Sequence, residues 1–218
     1  VSSDSHDMIW ADDHHVVAWE QFKLPVSVPP KPRVQFASGS PLELSDGAKE
    51  IKITGNDFAY TFDRNEGLLS SINYKGQELL KQGPVVQLWA KILPGGKNYD
   101  HPSEWNKDNL LNLERQVEWI TAKKIDPHVV QVEAKIKLIT GWRSTKASLS
   151  CVYLYRVLST GDIIMGHIVI PERLPDSLPQ VGVKLKLSKD LQNFKWYGAG
   201  PHGIYPGREQ SGRIDEYS

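Results

Sequence analysis

Apolar side chains recur at every second position over long stretches of this chain, and that period of two limits its fold more than any other feature. In "VEAKIKLI", Val132, Ala134, Ile136 and Leu138 share one face while Glu133, Lys135 and Lys137 share the other. That is the pattern of an antiparallel strand with one buried and one wet face. "EIKITGNDFAYTFDR", "VVQVEAKIKLIT", "LSCVYLYRVLSTGDIIMGHIVI" and "VGVKLKLS" repeat it. Between such runs stand Asn65-Glu66-Gly67, Lys75-Gly76-Gln77 and Thr160-Gly161-Asp162, each with a glycine where a turn needs positive φ. The pattern predicts an all-β fold, an antiparallel β-sandwich from about residue 37 onward. One segment departs from it: in residues 103–120, Leu110, Leu113 and Val117 fall at helical spacing. This predicts a short helix, weakened by Asn106, Asn109 and Asn112.

Upstream, residues 24–36 hold Pro25, Pro29, Pro30 and Pro32. Proline fixes φ and lacks a ladder N–H, so this is read as an extended linker over residues 25–36. Before it, "HHVVAWEQFKL" is a single strand, which by itself satisfies neither its backbone nor its apolar face. It is expected to belong to a sheet built from sequence outside this chain, or to dock on the sandwich.

Charge and cysteine content remove several classes of function. Lys+Arg and Asp+Glu balance at 26 each in 218 residues, so no basic field is available for nucleic acid. Cys151 is the sole cysteine; no internal disulfide or cysteine-built zinc site can form, and its apolar setting predicts a buried, inert thiol. No apolar run is long enough to span a membrane, and no membrane partner is expected. No signal-peptide pattern is visible, and the chain opens at Val1 without an initiator Met, which suggests a processed product or an excised piece. Compartment stays open between cytoplasm and periplasm. In "HDMIWADDHH", His6, Asp7, Asp12, Asp13, His14 and His15 are competent ligands at irregular spacing, and the reading is a solvated terminal segment with no metal. His167 alternates with apolar neighbours and is expected to meet solvent or a hydrogen-bonding partner.

The stretch "WYGAGPHGIYPGR", residues 196–208, contains a literal G-x-G-x-x-G from Gly198 to Gly203. A dinucleotide site requires a helix directly after that turn, and Pro206 with Gly207 forbids one. The stretch instead resembles the Y/L-G-x-G-P-x-E-x-Y-x-D-R signature of the C-terminal, small-chain domain of family 2 β-galactosidases. Tyr197, Gly198, Gly200, Pro201, Tyr205 and Arg208 match it in register. "HHVVAWEQFKL" is similar to the last strand of the family's preceding Ig-like domain, and "FAYTFDRNEGLLSSINYKGQELL" to the first hairpins of the small-chain domain. Gly203 and Gly207 stand where Glu and Asp are usual, and "LWAKILPGGKNYDHPSEW" replaces the acidic R-A-P-x-D-N-D motif.

The resemblance implies a division into residues 1–24 (end of an Ig-like domain), 25–36 (linker) and 37–218. The last would be a galactose-mutarotase-like supersandwich that continues past Ser218. It implies a parent that hydrolyses terminal β-D-galactosides with retention, through two glutamates on a (β/α)₈ barrel outside this chain; none of the catalytic residues would lie here. The region would support the active-site face, with residues 87–100 nearest to it. Substrate-proximal candidates are Trp89, Lys91, Tyr99, Asp100 and Trp105, because aromatic faces stack on sugars while polar neighbours take the hydroxyls. Trp196 and Tyr205 are further aromatic candidates. Expected partners are the barrel and Ig-like domains and a β-galactoside, with a homo-oligomer left open. No cofactor is implied in this chain, and Mg or Na ions, where the parent family uses them, would sit at sites outside it. Two other classes remain: a stand-alone carbohydrate-binding β-sandwich, and an assembly module whose open strand edges seek partners.

Overall fold

The computed structural model describes residues 2, 9, 10, 12, 14–27, 39–88, 113–140, 148–174, 181–204, 207 and 209–218. Among them there is no α-helix, and the strands run antiparallel throughout. The contacts divide the chain into two units, residues 34–191 and residues 1–33 with 192–218.

The larger unit is a sandwich. Its first sheet is a meander of β1 (Glu43–Asp46), β2 (Glu50–Thr54), β3 (Phe58–Asp63), β4 (Leu68–Tyr74) and β5 (Gln77–Glu78) in that order. β6 (Leu80–Gln87) then leaves it and pairs much later with β11 (Gly182–Leu187). The second sheet has the order β10-β9-β8-β7, formed by β7 (Leu113–Asp126), β8 (Val129–Thr140), β9 (Ser148–Leu158) and β10 (Ile163–Arg173).

Alternation decides which side each strand buries. Val132, Ala134, Ile136 and Leu138 of β8 are buried, as are Leu149, Cys151, Tyr153, Tyr155 and Val157 of β9. From the facing sheet, Ile51, Ile53, Tyr60, Phe62 and Leu69 join the same apolar cluster. Phe62 meets Tyr155 edge-on, with ring centroids 5.1 Å apart. Fully burying a side chain of this size contributes about 1.5–3 kcal/mol, so this one cluster supplies the unit's main stabilisation. Polar groups stitch the sheets where apolar contact ends. Tyr60 donates its hydroxyl to the Gly161 carbonyl at 2.7 Å, and Val86 N–H donates to the Tyr153 hydroxyl at 3.1 Å. Arg64 donates to the Ile120 carbonyl at 2.9 Å and pairs with Asp46.

Two glycines are required by geometry. Gly67 turns with φ 65° directly over β8, where an added Cβ would stand 3.0 Å from Ile136 Cδ1. At Gly83, β6 crosses the Leu69 carbonyl so closely that a Cβ would lie 1.9 Å from its oxygen.

The helix expected over residues 103–120 is corrected where it can be seen. Residues 113–120 form the start of β7, and 103–112 lie outside the described residues. The register shifts between Val117 and Trp119. This β-bulge breaks the two-residue period, so a helical spacing of Leu113 and Val117 competes in the sequence with an alternation that changes phase midway.

Candidate functional site

The glycine stretch builds the smaller unit. β12 (Trp196–Gly200) pairs antiparallel with β13 (Arg213–Tyr217), placing Trp196 opposite Tyr217 and Gly200 opposite Arg213. Between them the chain passes a cis Gly200–Pro201 bond and a 3-10 turn at Glu209–Ser211. Among the described residues no α-helix follows β12, so they present no helix N-terminus to a phosphate. The glycines serve close approach. A Cβ on Gly200 would stand 2.7 Å from the Tyr217 ring, and one on Gly212 would stand 2.3 Å from Ile204 Cδ1. Phe194, Trp196 and Tyr217 stack in sequence, with centroids 5.5 and 4.9 Å apart. Tyr217 donates its hydroxyl to the Arg213 carbonyl at 3.0 Å, fixing the ring over the strand.

The N-terminal segment is tied to this hairpin. The Gln21 side chain donates to the Ile214 carbonyl at 2.9 Å and accepts the Ile214 N–H at 2.7 Å, while Arg213 lies 5.3 Å from the Trp19 ring centroid. Of the signature residues, Tyr197, Gly198, Gly200 and Pro201 lie on or beside β12; Tyr205 and Arg208 lie outside the described residues. Tyr197 points away from the stack and is largely exposed. All five substrate-proximal candidates, Trp89, Lys91, Tyr99, Asp100 and Trp105, lie outside the described residues. The described strand residues on either side are Gln87, held opposite Gly182, and Leu113, held opposite Thr140.

A glycosidase acid needs a carboxyl held protonated near neutrality. Two carboxylates in the larger unit are displaced, and both go the other way. Glu172 hydrogen-bonds Lys137, Ser150 and Ser148, which lowers it to about 2. For Glu78, burial pushes upward but is outweighed by the Ser71 hydroxyl and the N–H groups of Leu80 and Ile72. Both are structural acceptors. Burial pushes the Cys151 thiol up to about 11, so it is inert, as its setting in the sequence implied. Among the described residues no group of three His, Cys, Asp or Glu could hold a metal ion.

His167 needs a correction. It is half-buried and lies edge-on to Tyr153 at 4.6 Å and Tyr155 at 6.1 Å, with Nε2 lacking a protein partner. Desolvation holds its pKa below the usual value. Strand alternation places it on the face shared with Tyr153, but only the strand pairing brings two tyrosine rings edge-on to it.

Comparison with known proteins agrees with the motifs. The family model for the beta galactosidase small chain matches residues 54–218. A beta-galactosidase from Priestia megaterium is 25% identical over 96% of this chain and 19% of its own length. Beta-galactosidases from Kluyveromyces lactis and Klebsiella pneumoniae are 23% and 28% identical, each over 93% of this chain and 20% of their own length. The chain thus spans about one fifth of the curated relatives it matches. With the family model covering most of the sandwich and the whole glycine hairpin, the chain belongs to the beta galactosidase small chain family.

Proposed function

We propose that this chain is the non-catalytic small-chain part of a β-galactosidase that hydrolyses terminal β-D-galactosides. The observation that carries the reading is the family match over residues 54–218, joined to relatives named beta-galactosidase that this chain covers almost wholly while spanning a fifth of their length. The chemistry of the described residues fits it. The displaced carboxylates are held ionised by fixed partners, and the thiol is kept protonated by burial. Nothing about them is poised for acid or nucleophilic work.

In this reading the sandwich is a scaffold. It presents the segment between Gln87 and Leu113, with Trp89, Lys91, Tyr99, Asp100 and Trp105, toward a sugar held by the catalytic domain of the same polypeptide. Residues 1–24 would end a preceding Ig-like domain and residues 25–36 would link it to the sandwich. Any ions the enzyme uses would bind outside this chain.

The native polypeptide, captured from source cells with an antibody against this domain, should have a mass roughly five times 24.6 kDa, given a one-fifth share. It should turn over an aryl β-galactoside in the immunoprecipitate. A native mass near 24.6 kDa would overturn the reading.

A further inference from the structure

The sequence holds one Asp-Gly bond, Asp46-Gly47, and no Asn-Gly. An Asp-Gly bond rearranges without an enzyme. The glycine amide nitrogen attacks the aspartate side-chain carboxyl carbon, and the carboxyl hydroxyl leaves with the amide proton as water. A cyclic succinimide results. Water then adds to one of its two carbonyls, and opening at the backbone carbonyl leaves isoaspartate, with the main chain one methylene longer. Glycine reacts most readily because no Cβ screens its nitrogen. A side chain at position 47 would slow the attack, but the turn has no room for one: a Cβ there would stand 3.0 Å from the Glu50 carbonyl oxygen. Asp46 is exposed, so the water for ring opening is at hand.

Three restraints oppose ring closure in the folded chain. Asp46 is the last residue of β1 and is held opposite Ile51, so the ladder fixes the backbone torsion that closure has to rotate. The attacking nitrogen is engaged, because Gly47 N–H donates to the Glu50 carbonyl at 2.9 Å. The carboxylate under attack is paired with Arg64 Nη2. Arg64 is fixed at its other nitrogens: Nε donates to the Gly47 carbonyl at 2.8 Å and Nη1 to the Ile120 carbonyl of β7 at 2.9 Å. One guanidinium therefore grips both residues of the reactive bond and braces them against the second sheet. That takes a planar fork of donors, which a lysine ammonium does not offer.

We propose that Asp46-Gly47 is a modification site of this protein, at which isoaspartate forms when the turn opens, and that Arg64 is the residue that suppresses it. The modification would reach the core. An extra methylene at residue 46 would break the match between β1 and β2, which holds Leu44 opposite the fully buried Ile53.

The test is the fraction of isoaspartate at residue 46 in the full-length polypeptide after ageing at neutral pH. It is read on a peptide covering residues 43–52, in which the isomer has unchanged mass and a shifted elution time. A methyltransferase specific for isoaspartyl carboxyls labels it independently. Wild-type protein unfolded in urea should form the isomer about tenfold or more faster than folded protein. Arg64→Lys keeps the charge without the fork, and Arg64→Gln keeps a donor without the charge. Each, aged as folded protein, should form the isomer about tenfold faster than folded wild type, the scale of a lost charge-assisted hydrogen bond. Val157→Ala opens a cavity at a fully buried position of β9 and lowers global stability without touching the turn; it should keep the wild-type rate. Equal rates in folded and unfolded wild type would overturn the protection. Wild-type rates in either folded Arg64 variant would overturn the role of Arg64, and a Val157→Ala rate as high as theirs would assign the reaction to global unfolding and overturn it equally.

Discussion

The sandwich of residues 34–191 and the hairpin unit of residues 1–33 and 192–218 are held together by different physics. In the sandwich, most buried apolar side chains come from two facing sheets, and Leu42, Leu80, Val86 and Leu88 complete the same cluster. In the hairpin unit none of the described apolar side chains is fully buried; three aromatic rings stack on one another, the Tyr217 ring lies against Gly200, and one glutamine side chain clips the N-terminal segment to β13. A sandwich resists perturbation through the volume it excludes from water. A ring stacked on glycine resists only through close contact and a few hydrogen bonds. The sandwich should therefore carry the global stability, and the hairpin should open locally at lower cost.

The strongest way to break this comparison is to cut into the sandwich. Ile136→Ala removes a fully buried side chain beneath the Gly67 turn and should lower the unfolding free energy by about 2–5 kcal/mol, read from the denaturant midpoint at constant m. A loss confined to the hairpin's probes would reverse the assignment of the core. Gly200→Ala is next. Its methyl group would overlap the Tyr217 ring, at a local cost of about 1–3 kcal/mol. Amides of β13 should exchange faster while those of β8 and β9 keep their rates; faster exchange in both units would mean they unfold as one.

Gln21→Ala removes both side-chain hydrogen bonds to Ile214 and should cost about 1 kcal/mol, again only in the hairpin unit. An unchanged exchange rate at the Ile214 N–H would show that the clip is not made in solution. The smallest effect is a slope. Burial holds the His167 pKa below 6.5, so the unfolded chain takes up a proton more readily than the folded one. Its contribution is fully present above about pH 6.5 and is lost as pH falls from there toward the lower folded value. His167→Phe should flatten that part of the sandwich's pH–stability curve, and a slope that survives the substitution would place its origin elsewhere.

Most of the sandwich was legible because a two-residue period leaves little choice. β8, β9 and β10 fall where alternation put them, and Gly67, Gly76 and Gly161 all take the positive φ their turns required. β7 was misread over residues 113–120 because its bulge changes the phase of the alternation, and no local residue announces that change. The glycine hairpin was legible as a family motif but not as a mechanism. The ring that needs Gly200 to lack a side chain is Tyr217, seventeen residues further on, and only the pairing of β12 with β13 joins them. The interior setting of His167 was hidden for the same reason, since strand order determines which rings surround it.

The central claim is that this chain supports glycoside hydrolysis without performing it. Its most direct test is turnover of an aryl β-D-galactoside by two pure preparations assayed side by side, the 218-residue chain and the full-length polypeptide that contains it. The account predicts hydrolysis with retained anomeric configuration by the full-length protein and none by the chain alone. Turnover by the 218-residue chain, or by neither preparation, would contradict it.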